Sequence, residues 1–241
     1  MYETQYGMLQ RPTHRNTSWD LAKFEVCAHK FADLSEHGYG VALLNDCKYG
    51  YSTEGNVMRL TLLRAPKNPD AHCDMGHHSF RYAVYPHAGA IGESGVVAAA
   101  YQFNVPLLSL PVPASVAARF KSSPSSPSQP FFKLVPASGP SGKSVANVVL
   151  DAVKQAEDDA NSVVVRLYEA YGGRADVILH TVLPVKRAVL CNILEDAIDA
   201  QSEEIILDAS REPNLWDAAR GGARLRFLPF QIVSVKLSLG A

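Results

Sequence analysis

The sequence predicts an all-β fold: a large antiparallel β-sandwich interrupted by one long Pro/Ser-rich loop. Apolar residues recur with a period of two, β-branched residues gather in short runs, and Gly, Pro and Asn separate those runs. That spacing belongs to strands with one face in a core. Many such strands in succession point to two packed sheets.

In chain order, residues 39–44 read as a strand, and Met58, Leu60 and Leu62 alternate with Arg59 and Thr61 as a second. The turn-rich residues 45–55 between them predict a hairpin. Residues 111–144 break the pattern. Within them, Lys121-Ser122-Ser123-Pro124-Ser125-Ser126-Pro127-Ser128-Gln129-Pro130 carries too little apolar surface to offset the entropy of ordering it. This predicts a low-complexity surface loop inside a single sandwich region spanning residues 1–241. Residues 163–168 and 177–182 are β-branched runs joined by a Gly172-Gly173 turn. Leu225 and Phe227 alternate with Arg224 and Arg226, and Val233, Val235, Leu237 and Leu239 alternate with Ser234, Lys236 and Ser238. Pro229 between these last two runs predicts a bulge or a bend.

At 241 residues, 47% hydrophobic and 20% charged, the chain has the composition of a globular protein with a sizeable core. Lys and Arg number 23 and Asp and Glu 24, for a net charge of −1. That balance argues against nucleic-acid and anionic-membrane partners, which need a basic excess. No apolar run approaches the roughly 20 residues of a membrane helix. Met1-Tyr2-Glu3-Thr4-Gln5 lacks the basic and apolar regions of a secretory signal. Cys27, Cys47, Cys73 and Cys191 show no paired spacing and read as free thiols; Cys27 and Cys47 sit among apolar strand-like residues, as small hydrophobes do.

Three local motifs suggest chemistry. Ala137-Ser138-Gly139-Pro140-Ser141-Gly142-Lys143-Ser144 fits a relaxed phosphate loop. Lys143 would neutralise phosphate, residues 145–157 would form the following helix, and Asp208 would hold magnesium. A Gly/Ser/Pro-rich loop that happens to end in Lys-Ser accounts for the same letters. His72-Cys73-Asp74-Met75-Gly76-His77-His78 offers imidazole and thiolate at zinc-like spacing, yet no Cys-x-x-Cys pair supplies a further ligand. Arg11-Pro12-Thr13-His14-Arg15-Asn16-Thr17-Ser18-Trp19-Asp20 mixes planar donors and acceptors with an aromatic face, as sugar sites do, and a hydrogen-bonded turn explains it equally. No spacing singles out a carboxylate pair of the kind a glycosidase needs.

Longer words go further. Gln5-Tyr6-Gly7, the block from Arg11 to Asp20, and Lys23-Phe24-Glu25-Val26-Cys27 resemble the C-terminal region of family 38 α-mannosidases. So do Ala32-Asp33-Leu34-Ser35-Glu36-His37-Gly38-Tyr39-Gly40-Val41-Ala42-Leu43-Leu44-Asn45-Asp46-Cys47-Lys48-Tyr49-Gly50-Tyr51, Tyr82-Ala83-Val84-Tyr85-Pro86-His87, Phe103-Asn104-Val105-Pro106-Leu107 and Val165-Arg166-Leu167-Tyr168-Glu169. The likeness runs along nearly the whole chain and is nearest the cytosolic and vacuolar branch.

The resemblance implies a β-sandwich of the galactose-mutarotase-like supersandwich type. It implies a hydrolase that removes terminal non-reducing α-D-mannose with retention of configuration. Its nucleophile and its zinc (or cobalt) belong to an N-terminal catalytic barrel with no counterpart motif here, so no catalytic residue, metal ligand or cofactor is assigned to this chain. The expected partners are that barrel and mannosides or oligosaccharides, and the expected location is the cytoplasm, with delivery to a vacuole as the alternative. The chain is expected to be a C-terminal part, inactive alone, with exposed apolar surface where the barrel would pack. Arg11, His14, Trp19 and Asp20 are the residues expected beside the substrate. Within the resemblance, residues 148–154 become a strand. A free-standing carbohydrate-binding or scaffold module is the main alternative, and a phosphate-loop nucleotidase a distant third.

Overall fold

The period-two runs fold as strands in the computed structural model, which describes residues 1–117, 130–137, 147–198 and 214–240. Every strand pair is antiparallel. The contacts divide into two units, Met1–Leu107 and Leu108–Ala241.

The first unit holds β1 (Tyr2–Thr4), β2 (Gly7–Leu9), α1 (Ser18–Ala22), β3 (Val26–Cys27), β4 (Phe31–Glu36), β5 (Tyr39–Asn45), β6 (Gly50–Glu54), β7 (Val57–Leu60), β8 (Tyr82–Ala88) and α2 (Val96–Asn104). They form a five-stranded sheet, β2-β1-β4-β5-β8, and a three-stranded one, β3-β6-β7. Tyr2, Ala28, Ala32 and Tyr51 are buried together, with Leu43, Met58 and Leu60 against them. The Tyr51 hydroxyl bonds the Asn45 side chain and donates to Leu43 O at 3.2 Å, which satisfies the one polar atom that its burial brings inside. On the other face of the larger sheet, Phe31, Ala42 and Leu44 are buried. The helix α2 packs against β5, burying Val96, Val97 and Ala100.

One expectation fails in this unit. Residues 39–44 and 58–62 do not form a hairpin: β5 pairs with β4 and β8, and β7 pairs with β6. Gly38 (φ +81°) and Gly55 (φ +57°) each close a tighter turn nearby, and those short closures win over the longer one. All four cysteines are free. Cys27 and Cys47 are nevertheless exposed, because β3 is a two-residue edge strand and Cys47 lies in the turn after β5.

The second unit holds α3 (Ala114–Ala117), β9 (Phe132–Pro136), β10 (Val148–Gln155), β11 (Ser162–Glu169), β12 (Ala175–Thr181), β13 (Val185–Cys191), β14 (Trp216–Asp217), β15 (Gly222–Phe227) and β16 (Ile232–Leu239). Sheets β10-β11-β16-β13 and β14-β15-β12-β9 enclose one core. Val165, Leu167, Val235 and Leu237 of the first share it with Val177, Leu179, Leu225 and Phe227 of the second. This is a sandwich whose inward residues are the alternating positions of the sequence. The Gly172-Gly173 turn carries the chain from one sheet to the other, so β11 and β12 are not paired.

Residues 132–136, inside the stretch expected to be loop, form β9. They do so because Phe132 and Leu134 pack against the core while the strand registers with β12. Residues 121–129 of the low-complexity stretch lie outside the described residues. At the corner after β11, Glu169 has no exposure, and its carboxylate accepts from the backbone N–H groups of Tyr171 (3.1 Å), Gly172 (2.8 Å) and Phe230 (3.0 Å). Asn147 Nδ2 donates to it at 3.2 Å. The bend expected at Pro229 is the turn that brings Phe230 there.

Candidate functional site

The block from Arg11 to Asp20 is shaped by one helix start. Thr17 caps α1: Asp20 N donates to Thr17 Oγ1 at 3.2 Å, and Thr17 N donates to Asp20 Oδ2 at 3.0 Å. Asn16 N adds a bond to the same Oδ2 at 3.1 Å. The Thr17 bond, above all, holds the Asp20 carboxyl below its ordinary range. Asp20 therefore enters the site as a structural anion already committed to the cap.

Arg11 lays its guanidinium over the Tyr2 ring, 4.6 Å from the centroid, and its Nη1 is buried without an acceptor. Arg15 reaches Glu54 at 3.4 Å. Arg11, His14 and Asp20 line one cleft together with Lys23 and Thr53, whereas Trp19 lies outside that lining and is 77% exposed. The structure thus gathers three of the four expected residues. The cleft measures about 20 Å³, room for a water but not for a pyranose ring.

A larger concavity carries no motif and was invisible in the sequence. An open groove of about 610 Å³ is lined by residues of β4, β5, β7 and β8. Leu34, Val41, Leu43 and Met58 form its floor, with Tyr39, Glu36 and Asn56 at one end. Only the pairing of β5 with β8, far apart in sequence, and the packing of Met58 of the β6-β7 hairpin against the cluster that Leu43 also joins bring these side chains together.

The remaining candidates separate. Among the described residues no three His, Cys, Asp or Glu side chains converge as a metal cage. His78 Nε2 instead bonds Asp74 O at 2.8 Å, within its own loop. The phosphate-loop residues 138–144 and Asp208 lie outside the described residues, and the helix that reading requires is the strand β10. Among the described residues, the buried carboxylates each have partners within the fold. Glu3 accepts from Lys30 N and Nζ, Glu195 from Lys154 Nζ and Glu157 N, Glu169 as above, and Asp33 meets His87. Asp46 accepts from Arg81 N and Nε; those bonds, the backbone one foremost, bring its pKa down to about 2.

Comparison with known proteins adds what the geometry does not state. The model of the glycosyl hydrolases family 38 C-terminal domain matches residues 1–72. That of the glycosyl hydrolases family 38 C-terminal beta sandwich domain matches residues 147–235. Alpha-mannosidase 2C1 of Homo sapiens is 48% identical over 242 residues, covering 99% of this chain and 20% of the relative. The alpha-mannosidase of Saccharomyces cerevisiae is 42% identical over 249 residues, covering 98% of this chain and 21% of the relative. The fold is shared with the crystal structure of an alpha-mannosidase from Enterococcus faecalis, at a TM-score of 0.66 and 18% identity, over 99% of this chain and 24% of that one. The chain spans about a fifth of the length of these curated relatives. It belongs to glycoside hydrolase family 38, whose two C-terminal domains it carries.

Proposed function

We propose that this chain serves a retaining α-mannosidase as its C-terminal β region, supporting a catalytic barrel that removes terminal α-D-mannose. The supporting observation is the 48% identity to a mannosidase over 99% of this chain but only 20% of that relative. A retaining mechanism needs two carboxylates about 5–5.5 Å apart on one sugar. Among the described residues the buried carboxylates are instead engaged by backbone N–H groups, lysines and a histidine. In this reading the nucleophile, acid and metal belong to the part of the enzyme that the relatives have and this chain does not match.

The test is hydrolysis of a chromogenic α-mannoside by the purified 241-residue chain, with zinc or cobalt supplied. The expected result is no turnover alone and turnover once the remaining part of the enzyme is present. Turnover by the chain alone would sink the reading. A carbohydrate-binding role is favoured by the groove beside Tyr39, Glu36 and Asn56. Calorimetric titration with mannose and a mannobiose, with loss of heat in Tyr39→Ala, separates that role from a purely supporting one.

A further inference from the structure

Cys27 and His29 flank Ala28, which is fully buried, so in extended chain their side chains leave on the same side. They meet: Cys27 Sγ lies 3.7 Å from His29 Nε2. The ring is fixed from several directions. His29 N donates to Glu3 O at 3.0 Å, and its carbonyl accepts from Asn45 Nδ2 at 2.7 Å. The Tyr49 ring packs against the imidazole edge to face, 5.0 Å between centroids. Nε2 also faces the Gln5 amide nitrogen at 3.3 Å, so two donors, amide and thiol, turn toward its lone pair. At the other nitrogen, Nδ1 is buried without a hydrogen-bond partner, and Glu3 Oε2 lies 4.0 Å from it. That carboxylate is itself buried and anchored by Lys30 N and Nζ. Thiol, imidazole and carboxylate therefore stand in the order of nucleophile, base and charge partner, with the sulfur at the surface. Cys47 supplies the contrast: it is exposed as well, but desolvation and then Asp46 raise its thiol.

We infer that Cys27 is a modification site, a thiol that forms mixed disulfides with small aliphatic disulfides, and that His29 is the base and then the acid of the exchange. The proton on Cys27 Sγ passes to His29 Nε2, and the thiolate attacks one sulfur of the incoming disulfide. The S–S bond of the reagent breaks as the bond to Cys27 forms. The departing thiolate takes the proton back from Nε2 and leaves as a free thiol. The reagent disulfide is the oxidant, and one small thiol is released for each mixed disulfide formed. While the ring carries the extra proton, Glu3 Oε2 faces Nδ1 and offsets its charge. The inference goes beyond the mannosidase reading and uses none of the residues expected beside the sugar.

The test measures the exchange rate of each cysteine in the purified 241-residue chain near neutral pH, by peptide mapping after an acid quench. Two reagents are compared. Bis(2-hydroxyethyl) disulfide releases a basic thiolate that needs a proton, whereas a dipyridyl disulfide releases a stabilised thione that does not. With the aliphatic reagent, Cys27 is expected to react about tenfold or more faster than Cys47. His29→Gln is expected to lower the Cys27 rate by about tenfold or more with the aliphatic reagent, by clearly less with the dipyridyl one, and to leave Cys47 unchanged. Equal rates at Cys27 and Cys47 in the parent overturn the inference without any variant. An equal loss with both reagents in His29→Gln overturns it too, because a change of packing slows both alike and a lost proton transfer does not.

Discussion

His87 on β8 reaches across β5 to place Nε2 2.8 Å from Oδ1 of Asp33 on β4, with 2% and 0% of the two side chains exposed. The ring passes over Gly40, which is paired with His87 on one side and Ser35 on the other. A Cβ there would sit 2.5 Å from the imidazole and 2.7 Å from the Ser35 Cβ. Three adjacent strands are thus tied on one face by a buried polar contact that only glycine permits.

Gly40→Ala is expected to destabilise the chain by about 1–3 kcal/mol, since the added methyl must push the imidazole or a strand aside. Urea unfolding followed by circular dichroism measures it. An unchanged midpoint would show that the His87 ring moves away freely, and that the contact with Asp33 is unimportant.

Glu169→Gln is expected to cost about 2–4 kcal/mol, the scale of leaving buried groups and a charged acceptor unpaired. Both carboxylate oxygens accept: Tyr171 N bonds Oε1, and Gly172 N and Phe230 N bond Oε2. Glutamine keeps one acceptor and turns an NH₂ against the remaining donors in either orientation. Thermal unfolding of Glu169→Gln beside Glu169→Ala checks this: if glutamine is as stable as the parent, the four-donor corner does not contribute.

Acid should weaken the first unit through Asp46. Its folded pKa, about 2, lies below the ordinary value of 3.8, chiefly because Arg81 N donates to it. A depressed carboxyl stabilises above its unfolded pKa and loses that contribution as pH falls through the folded one. The Tm of the parent should therefore decline between about pH 4 and pH 2 more steeply than that of Asp46→Asn. Parallel curves would remove Asp46 from the account.

Thiol reactivity should rank by exposure. Cys27 and Cys47 are exposed, Cys73 is half-buried and Cys191 is buried, with burial pushing its thiol up to about 11. Desolvation and then Asp46 also raise Cys47. With a chromogenic disulfide at pH 8, Cys27 should modify first, Cys47 more slowly, and Cys191 only on unfolding. Fast labelling of Cys191 in the native chain, located by peptide mapping, would contradict the packing of β13.

Alternation by itself determined where most strands run. The inward positions of residues 163–168, 177–182, 225–227 and 233–239, among them Val165, Leu167, Val177, Leu179, Leu225, Phe227, Val235 and Leu237, lie in the sandwich core, a local consequence of the pleat, so no partner need be known to read them. The long words around Arg11–Asp20 and residues 32–51 were likewise enough to place the chain in its family. Pairing was not legible in this way. The hairpin expected between residues 39–44 and 58–62 gave way to β4-β5-β8 and β6-β7, because turn closure at Gly38 and Gly55 and burial on a shared face decide partners. The candidate site divides along the same line. Composition pointed to Arg11, His14 and Asp20, but only the fold shows that Asp20 is consumed by a helix cap, that Trp19 does not line the cleft, and that a roomier groove lies elsewhere. Contacts such as His87 with Asp33, 54 residues apart, and Glu169 with Phe230, 61 apart, are set by which strands become neighbours. Sheet order is a property of the whole core, so no local window of sequence contains it.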